Sequence, residues 1–284
     1  MSDTSNVSFL QLCDEIRDNK TLFVGRLSGN ETALTGMVLD DIRPHANLLI
    51  NMLHGAGIYF IDEDSIKKYV KMYCNAVKNS DYLGVWTGSM QSQAHHFYKR
   101  LNSSTDFSNV KQIPARYLEP LYFMDDDKYM FNEALKDKTV LVISSHIDSM
   151  KRQVENKNIH KVFKKPIFDK CKKLKYIRPP QTHCGRHNNV DWSVHFDNFC
   201  KELSEDTDYD IAFVSCGGYG MITCNYIVKE LGKSVVYVGG GLQLFFGIMG
   251  DRWHNRDWYN EHWVSTLDHE VPDNKHLAEG GCYW

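Results

Sequence analysis

The chain has 284 residues, 42% of them hydrophobic, 24% charged and 12% aromatic, which supplies a buried core and excludes a disordered or fibrous chain. A formal net charge of -3 gives no global field for a polyanion, so nucleic acid is not an expected partner. Eight cysteines without a CxxC spacing read as free thiols rather than a disulfide framework.

The first stretch, MSDTSNVSFLQLCDEIRDNK, has no basic start followed by an apolar run, so no secretory signal is expected in it. The most apolar segment, residues 234–249, contains several glycines and is shorter than the ~20 apolar residues that span a bilayer. Together these features predict a cytoplasmic protein.

TLFVG at 21–25 predicts a first strand, which leaves through the polar loop RLSGNE. GIYFI at 57–61 is a short apolar run. Asp62 then caps a helix through Val77, on which Ile66, Tyr69, Val70, Tyr73 and Val77 recur at helical spacing. DYLGVW at 81–86 predicts a strand, residues 91–101 a helix, and MDDDKYMFNEALKDK a helix preceded by aspartates. TVLVIS at 139–144 is a buried strand, followed by a helix that opens at Ser145 or His146. KYIRPP is expected to be extended, because the residue before a proline is pushed out of the α region. An amphipathic helix covers 190–203, and 210–238 supplies strand, helix and strand.

This order predicts an α/β fold: a Rossmann-like, mostly parallel sheet with helices on both faces. One domain over 1–284 is expected, with the polar stretch near 102–112 the place where it would divide. Ligands bind such sheets beyond the carboxyl ends of the strands. Four loops sit at such ends: GRLSGNE, SSHIDS, CGGYG and GGGLQ. Glycines let backbone approach a ligand, and helix N-termini offer unpaired N–H groups, so phosphate is the ligand class these loops suit. Candidate binding residues are Arg26, Ser28, Asn30, Ser145, Gly217, Gly218, Tyr219, Gly220, Gly239, Gly240 and Gln243. Arg26 offers a forked contact to phosphate. Glu31 is placed to accept sugar hydroxyls, bind a divalent metal or act as a base; His146 is an alternative base or phosphate partner. The same glycines also suit tight strand-to-helix turns, and Glu31 also suits the first turn of a helix. The strand SVVYV ends in glycine where a dinucleotide fold places an acid, which argues against a nicotinamide cofactor.

The run DYDIAFVSCGGYGMITCNYIVKELGKSVVYVGGGLQLFFGIMGDRW resembles the C-terminal half of bacterial and viral proteins grouped with GT-D-type glycosyltransferases. The likeness lies in a strand, Gly-Tyr-Gly loop, helix, Gly-Lys, strand, Gly-Gly, Gln, Phe-Gly-Ile and Arg-Trp order, and in the ending GGCYW. RLSGNE resembles the position of an Asp-x-Glu motif in that family, and TVLVISSHIDSMKRQ resembles its central strand and phosphate-side helix. The resemblance runs over roughly residues 22–284. It implies hexosyl or pentosyl transfer from a nucleoside-diphosphate sugar, of UDP or GDP type, to a glycan, glycolipid or glycoprotein acceptor. It further implies that Arg26 and the amides of Ser145, His146 and residues 217–220 stabilise the departing diphosphate. Gly239, Gly240 and Gln243 would line the donor pocket. The chain departs from the motif at Gly29-Asn30-Glu31, where only Glu31 carries over, leaving one carboxylate for Mn2+ or Mg2+.

Asp125 and Asp127 in MDDDKY match the Asp-x-Asp spacing of GT-A enzymes and equally suit a helix N-terminus. The stretch KVFKKPIFDKCKKLKYIR, opening on Lys161 and closing on Arg178, reads as a solvated face, or as a dock for an anionic acceptor or a membrane carrying a lipid-linked glycan. THCGRH, at 182–187, holds metal-ligand residue types without a complete set. Arg252 and Trp253 are candidate site-edge residues, and Trp284 a packing residue. The alternative classes are an S-adenosylmethionine-dependent methyltransferase acting on a glycan and a non-catalytic nucleotide-binding module of glycan assembly.

Overall fold

The structure, a computed structural model, describes residues 4–18, 21–86, 100, 103, 109–119, 131–253 and 259–284. One sheet holds seven strands: β1 (Phe23–Arg26), β2 (Tyr82–Val85), β3 (Lys111–Pro114), β4 (Thr139–Ile143), β5 (Lys173–Ile177), β6 (Ile211–Val214) and β7 (Ser234–Tyr237). Their order is β3-β2-β1-β7-β6-β4-β5, and every pairing is parallel. The fold is α/β with a Rossmann-like sheet. The strands predicted near 21–25, 81–86, 139–144, 211–215 and 234–238 are β1, β2, β4, β6 and β7.

Burial on both sides explains why the inner strands are continuous apolar runs rather than alternating ones. In β4, Leu141 and Ile143 join one core with Trp192 and Phe196, while Val140 and Val142 join the other with Phe131 and Phe245. The first core is closed by α2 (Gly29–Leu39), α3 (Ala46–His54), α4 (Glu63–Lys78), α7 (Trp192–Glu205) and α8 (Gly220–Lys229). The second is closed by α1 (Thr4–Arg17), the short α5 (Phe131–Ala134), α6 (Ile147–Glu155) and the 3-10 turn Gly239–Phe246. The Asp62 side chain caps α4, accepting from Ser65 N–H at 2.8 Å. KYIRPP contributes β5, half-exposed at the sheet edge beside β4, where its lysines are compatible with solvent. GIYFI forms no strand; it is a crossing loop whose Ile58 is buried.

The predicted helix at 91–101 lies almost wholly outside the described residues, and Asp125 and Asp127 lie outside them entirely. Where 102–112 is described, it runs into β3, paired to β2 in the same sheet. Among the described residues, no helix is long and apolar enough to cross a membrane.

The topology positions a crevice. From β4 the chain moves outward through α6 to β5, and from β6 it moves the opposite way through α8 to β7. Met150 of α6 and Met221 of α8 accordingly belong to different cores. Loops leaving adjacent strands toward opposite faces open a gap at the carboxyl ends of β4 and β6.

Candidate functional site

A cavity of about 420 Å³ occupies this gap and extends to the ends of β1 and β7. The loop from β1 into α2 contributes Arg26, Ser28, Asn30 and Glu31; the end of β4 contributes Ser145 and His146. Ser215 and Gly217 come from β6; Tyr237, Gly239, Gly240 and Gln243 follow from β7. Four loops far apart in sequence, from Arg26 to Gln243, therefore meet at one place because a parallel sheet puts all its carboxyl ends on one side.

Glu31 sits in the first turn of α2 and is 5% exposed. Ser28 Oγ donates a hydrogen bond to its Oε2. Burial raises its pKa above the ordinary carboxylate value; the Ser28 hydroxyl and Arg26 offset part of that rise, and Glu279 adds to it. A carboxyl group kept in low dielectric beside a cavity holds its proton more tightly than an exposed one, which strengthens it as a base.

Arg26 lies at the end of β1, buried between structural partners. Its Nη2 pairs with Glu119 at 2.8 Å, its Nη1 donates to Val238 O at 2.6 Å, and its guanidinium stacks over Trp86 at 4.6 Å. Its Nε is buried with no partner. Gly239, at φ +70°, admits this arrangement, since an added Cβ would collide with the Arg26 guanidinium. The fork expected to hold phosphate is thus already taken up at two of its nitrogens.

The phosphate-side helix α6 departs further from expectation. Its first amides, Asp148 N–H and Ser149 N–H, donate to the Glu270 carboxylate at 2.8 and 2.9 Å, and Ser149 Oγ donates to it at 2.5 Å. Arg178 closes the same carboxylate at 3.0 Å. The chain's own anion fills the helix N-terminus that sequence assigns to a ligand. The triad Asp148, His269 and Glu270 has ligand spacing for a cation, yet Arg178 already supplies the positive charge there. That group does not include Glu31. Glu279, the other carboxylate near Glu31, is engaged by Arg252, and with Arg26 also close by the residues around Glu31 do not fit a divalent metal.

His146, 6% exposed, caps α6 and stands 3.4 Å from Thr266 Oγ1 through its Nδ1. Burial pushes its pKa down to about 4 against the pull of Glu270, so its ring is neutral at pH 7. His183, from THCGRH, lines the same cavity and is likewise held down to about 4 by burial. Gly217, at φ +53°, leaves room for that ring: a Cβ there would come 2.5 Å from His183 Nε2 and 2.7 Å from Ala56 O.

Three predicted binding residues stand outside the cavity lining: Gly218, Tyr219 and Gly220. Their amides are spent internally, Gly218 N–H on Ala56 O, Tyr219 N–H on Cys216 O and Gly220 N–H on Gly217 O. Tyr219 is fully buried, and Gly220 is small because the Tyr237 ring packs against its Cα. Gln243 lines the cavity while its amide donates to the carbonyls of Ile248, Met249 and Tyr283, which ties the C-terminal segment down.

Sequence reasoning missed part of the wall. Trp86, Tyr237, Glu279, Tyr283 and Trp284 all line the cavity. Arg252, expected at the edge of the site, lines it as well, pairing with Glu279 and lying over the Tyr283 ring at 4.7 Å. Trp253 and Trp284 exchange their expected places: Trp253 packs in a small core with Trp263 and Phe163, whereas Trp284 faces the cavity. A C-terminal segment rich in Arg and aromatics was the available signal. In the basic stretch 161–178, Lys170 pairs with Glu133, Lys175 with Asp206, and Arg178 with Asp148 and Glu270. Its positive charge is therefore partly neutralised within the chain.

Compared with family models, with curated proteins and with solved structures, the chain finds no match in any of the three.

Proposed function

We propose that the protein is a glycosyltransferase that takes a nucleoside-diphosphate sugar in the cavity and passes the sugar to a hydroxyl acceptor. The observation that carries the reading is Glu31, a buried carboxyl group with a raised pKa, in a crevice at the carboxyl ends of β1, β4, β6 and β7. Arg26 and Arg252 line the same space; each is paired with a carboxylate, Glu119 and Glu279, and what they offer a diphosphate is N–H donors, the unpartnered Arg26 Nε among them. Tyr283 and Trp284 give the aromatic faces that suit a sugar or base ring.

In this reading the acceptor oxygen attacks the anomeric carbon. The bond from that carbon to the diphosphate oxygen breaks, and its electron pair leaves with the diphosphate. The hydroxyl proton passes to Glu31, a stronger base than an exposed carboxylate because burial raises its pKa. His146, neutral with a pKa pushed down to about 4, is a weak base and serves as an uncharged donor to the leaving group. Arg26 Nε and Arg252 balance the charge that develops there, without a metal.

A methyltransferase is less well supported. Such a fold takes the ribose of its cofactor with an acid at the end of the second strand, and β2 ends in Val85 and Trp86. Thermal-shift titration with UDP-, GDP-, CMP- and TDP-sugars, with and without Mn2+, tests the proposal. One nucleotide family is expected to stabilise the protein, with no added effect of Mn2+. Glu31→Gln is expected to keep that stabilisation and lower transfer about 100-fold or more. Stabilisation by S-adenosylhomocysteine and by no nucleotide would overturn the reading.

A further inference from the structure

A second cavity, of about 540 Å³, lies against the first. Trp284 lines both, and so forms the partition between them. The partition has a second member pair: Thr266 lines the new cavity, His146 lines the first, and they meet at 3.4 Å between Oγ1 and Nδ1. The Trp284 and His146 rings lie 6.3 Å apart, so the indole and the imidazole stand side by side in this wall.

The chemistry of the second cavity differs from that of the first. Asp251, Asp268 and Asp273 face it beside the hydroxyls of Ser265 and Thr266, and Lys275 is the one basic lining residue among the described residues. Carboxylates and hydroxyls at an open cavity wall accept and exchange hydrogen bonds with polyols, and an indole face covers the apolar face of a sugar ring. Among the described residues, the exposed carboxylates of Asp268 and Asp273 face the cavity against one lysine, which disfavours an anion.

We infer that this second cavity is the acceptor subsite and that it takes a neutral, polyhydroxylated acceptor, a glycan without acidic sugars, with its reacting hydroxyl presented past Trp284 toward the first cavity. The inference rests on the glycosyl-transfer reading of the first cavity, and it deepens that reading by naming the acceptor class.

Saturation-transfer NMR in the absence of nucleotide tests the subsite by itself, with maltotriose, cellotriose and chitotriose as neutral probes and trigalacturonate as the anionic one. At least one neutral trisaccharide is expected to bind and trigalacturonate is not. Asp268→Arg and Asp273→Arg, both at exposed positions, are expected to abolish the neutral signal. Donor hydrolysis without acceptor reads the first cavity. In the two variants it is expected to stay within about twofold of the parent, while the acceptor KM rises at least tenfold. Neutral binding lost in the variants upholds the subsite even where no nucleotide sugar is hydrolysed, in which case only the donor reading fails. Absence of binding by all four probes, binding that survives both substitutions, or preference for trigalacturonate would overturn it.

Discussion

Glu31 shows how one residue carries a cost for stability and a use in chemistry. Its folded pKa lies above the unfolded value, chiefly through burial. Between those two values the folded chain binds more protons than the unfolded one, so stability falls as pH rises through the window. His146 and His183 have the opposite sign: their folded pKa values near 4 lie below the ordinary histidine value, so they cost stability as pH falls from about 6.5 toward 4. A difference between parent and variant isolates Glu31 from both. Glu31→Gln keeps an acceptor for the Ser28 hydroxyl and removes the buried charge. The variant is expected to melt a few degrees above the parent at pH 7, with the gap closing below pH ~4.5 as the parent carboxyl protonates in both states. Calorimetric melts from pH 4 to 8 measure the gap; a variant that melts lower at pH 7 would mean the carboxylate is net stabilising. Gain of stability on loss of activity is the trade expected of a catalytic group.

At the scale of an element, the N-terminus of α6 is the informative case. Glu270 reaches it from 122 residues along the chain, accepts from Asp148 N–H and Ser149 N–H, and is joined by Arg178. Glu270→Ala leaves two helix amides, the Ser149 hydroxyl and one face of the guanidinium without that partner. The expected loss is about 2–3 kcal/mol, with faster hydrogen exchange at Asp148 and Ser149. Unchanged exchange there would show that water replaces the carboxylate without cost. This element also marks the limit of what the sequence discloses. The strand-to-helix turn at SSHIDS was legible from its apolar run and polar exit, as was the Asp62 cap of α4. That the helix end is satisfied by the chain's own Glu270 was not, because no local pattern encodes a contact over that separation. The glycine loops divide in the same way. Gly217, Gly239 and Gly240 do reach the cavity, whereas Gly220 is small to admit Tyr237, and both uses look alike in sequence. The pairing of Val24 with Val236 and the return of Trp284 to the cavity are likewise long-range, set by packing rather than by propensity.

At the scale of the molecule, the cavity depends on a sheet held from both sides, since its walls are the loops of four strands. Phe213 in β6 is where the second core is tied together. It meets Phe131 of α5 at 6.1 Å, Phe168 at 5.6 Å and Phe245 of the 3-10 turn at 6.2 Å, each near edge-on. Removing this ring leaves a void among three others, which a close-packed interior fills only in part. Phe213→Ala is expected to cost about 3–5 kcal/mol, a large share of the ~5–15 kcal/mol that holds a typical domain. Phe213 lines neither cavity, so ligand binding per folded molecule is expected to be unchanged at low temperature. Urea unfolding followed by tryptophan fluorescence and by circular dichroism measures both the loss and its character. Trp192 lies in the first core and Trp253 in the small core with Trp263 and Phe163, so coincident curves would show that damage in the second core is felt throughout the sheet. Two separate transitions would show instead that the layers unfold apart. The four loops would then owe their meeting to the first core alone, through Leu34 of α2, Ile143 of β4, Val214 of β6 and Tyr237 of β7.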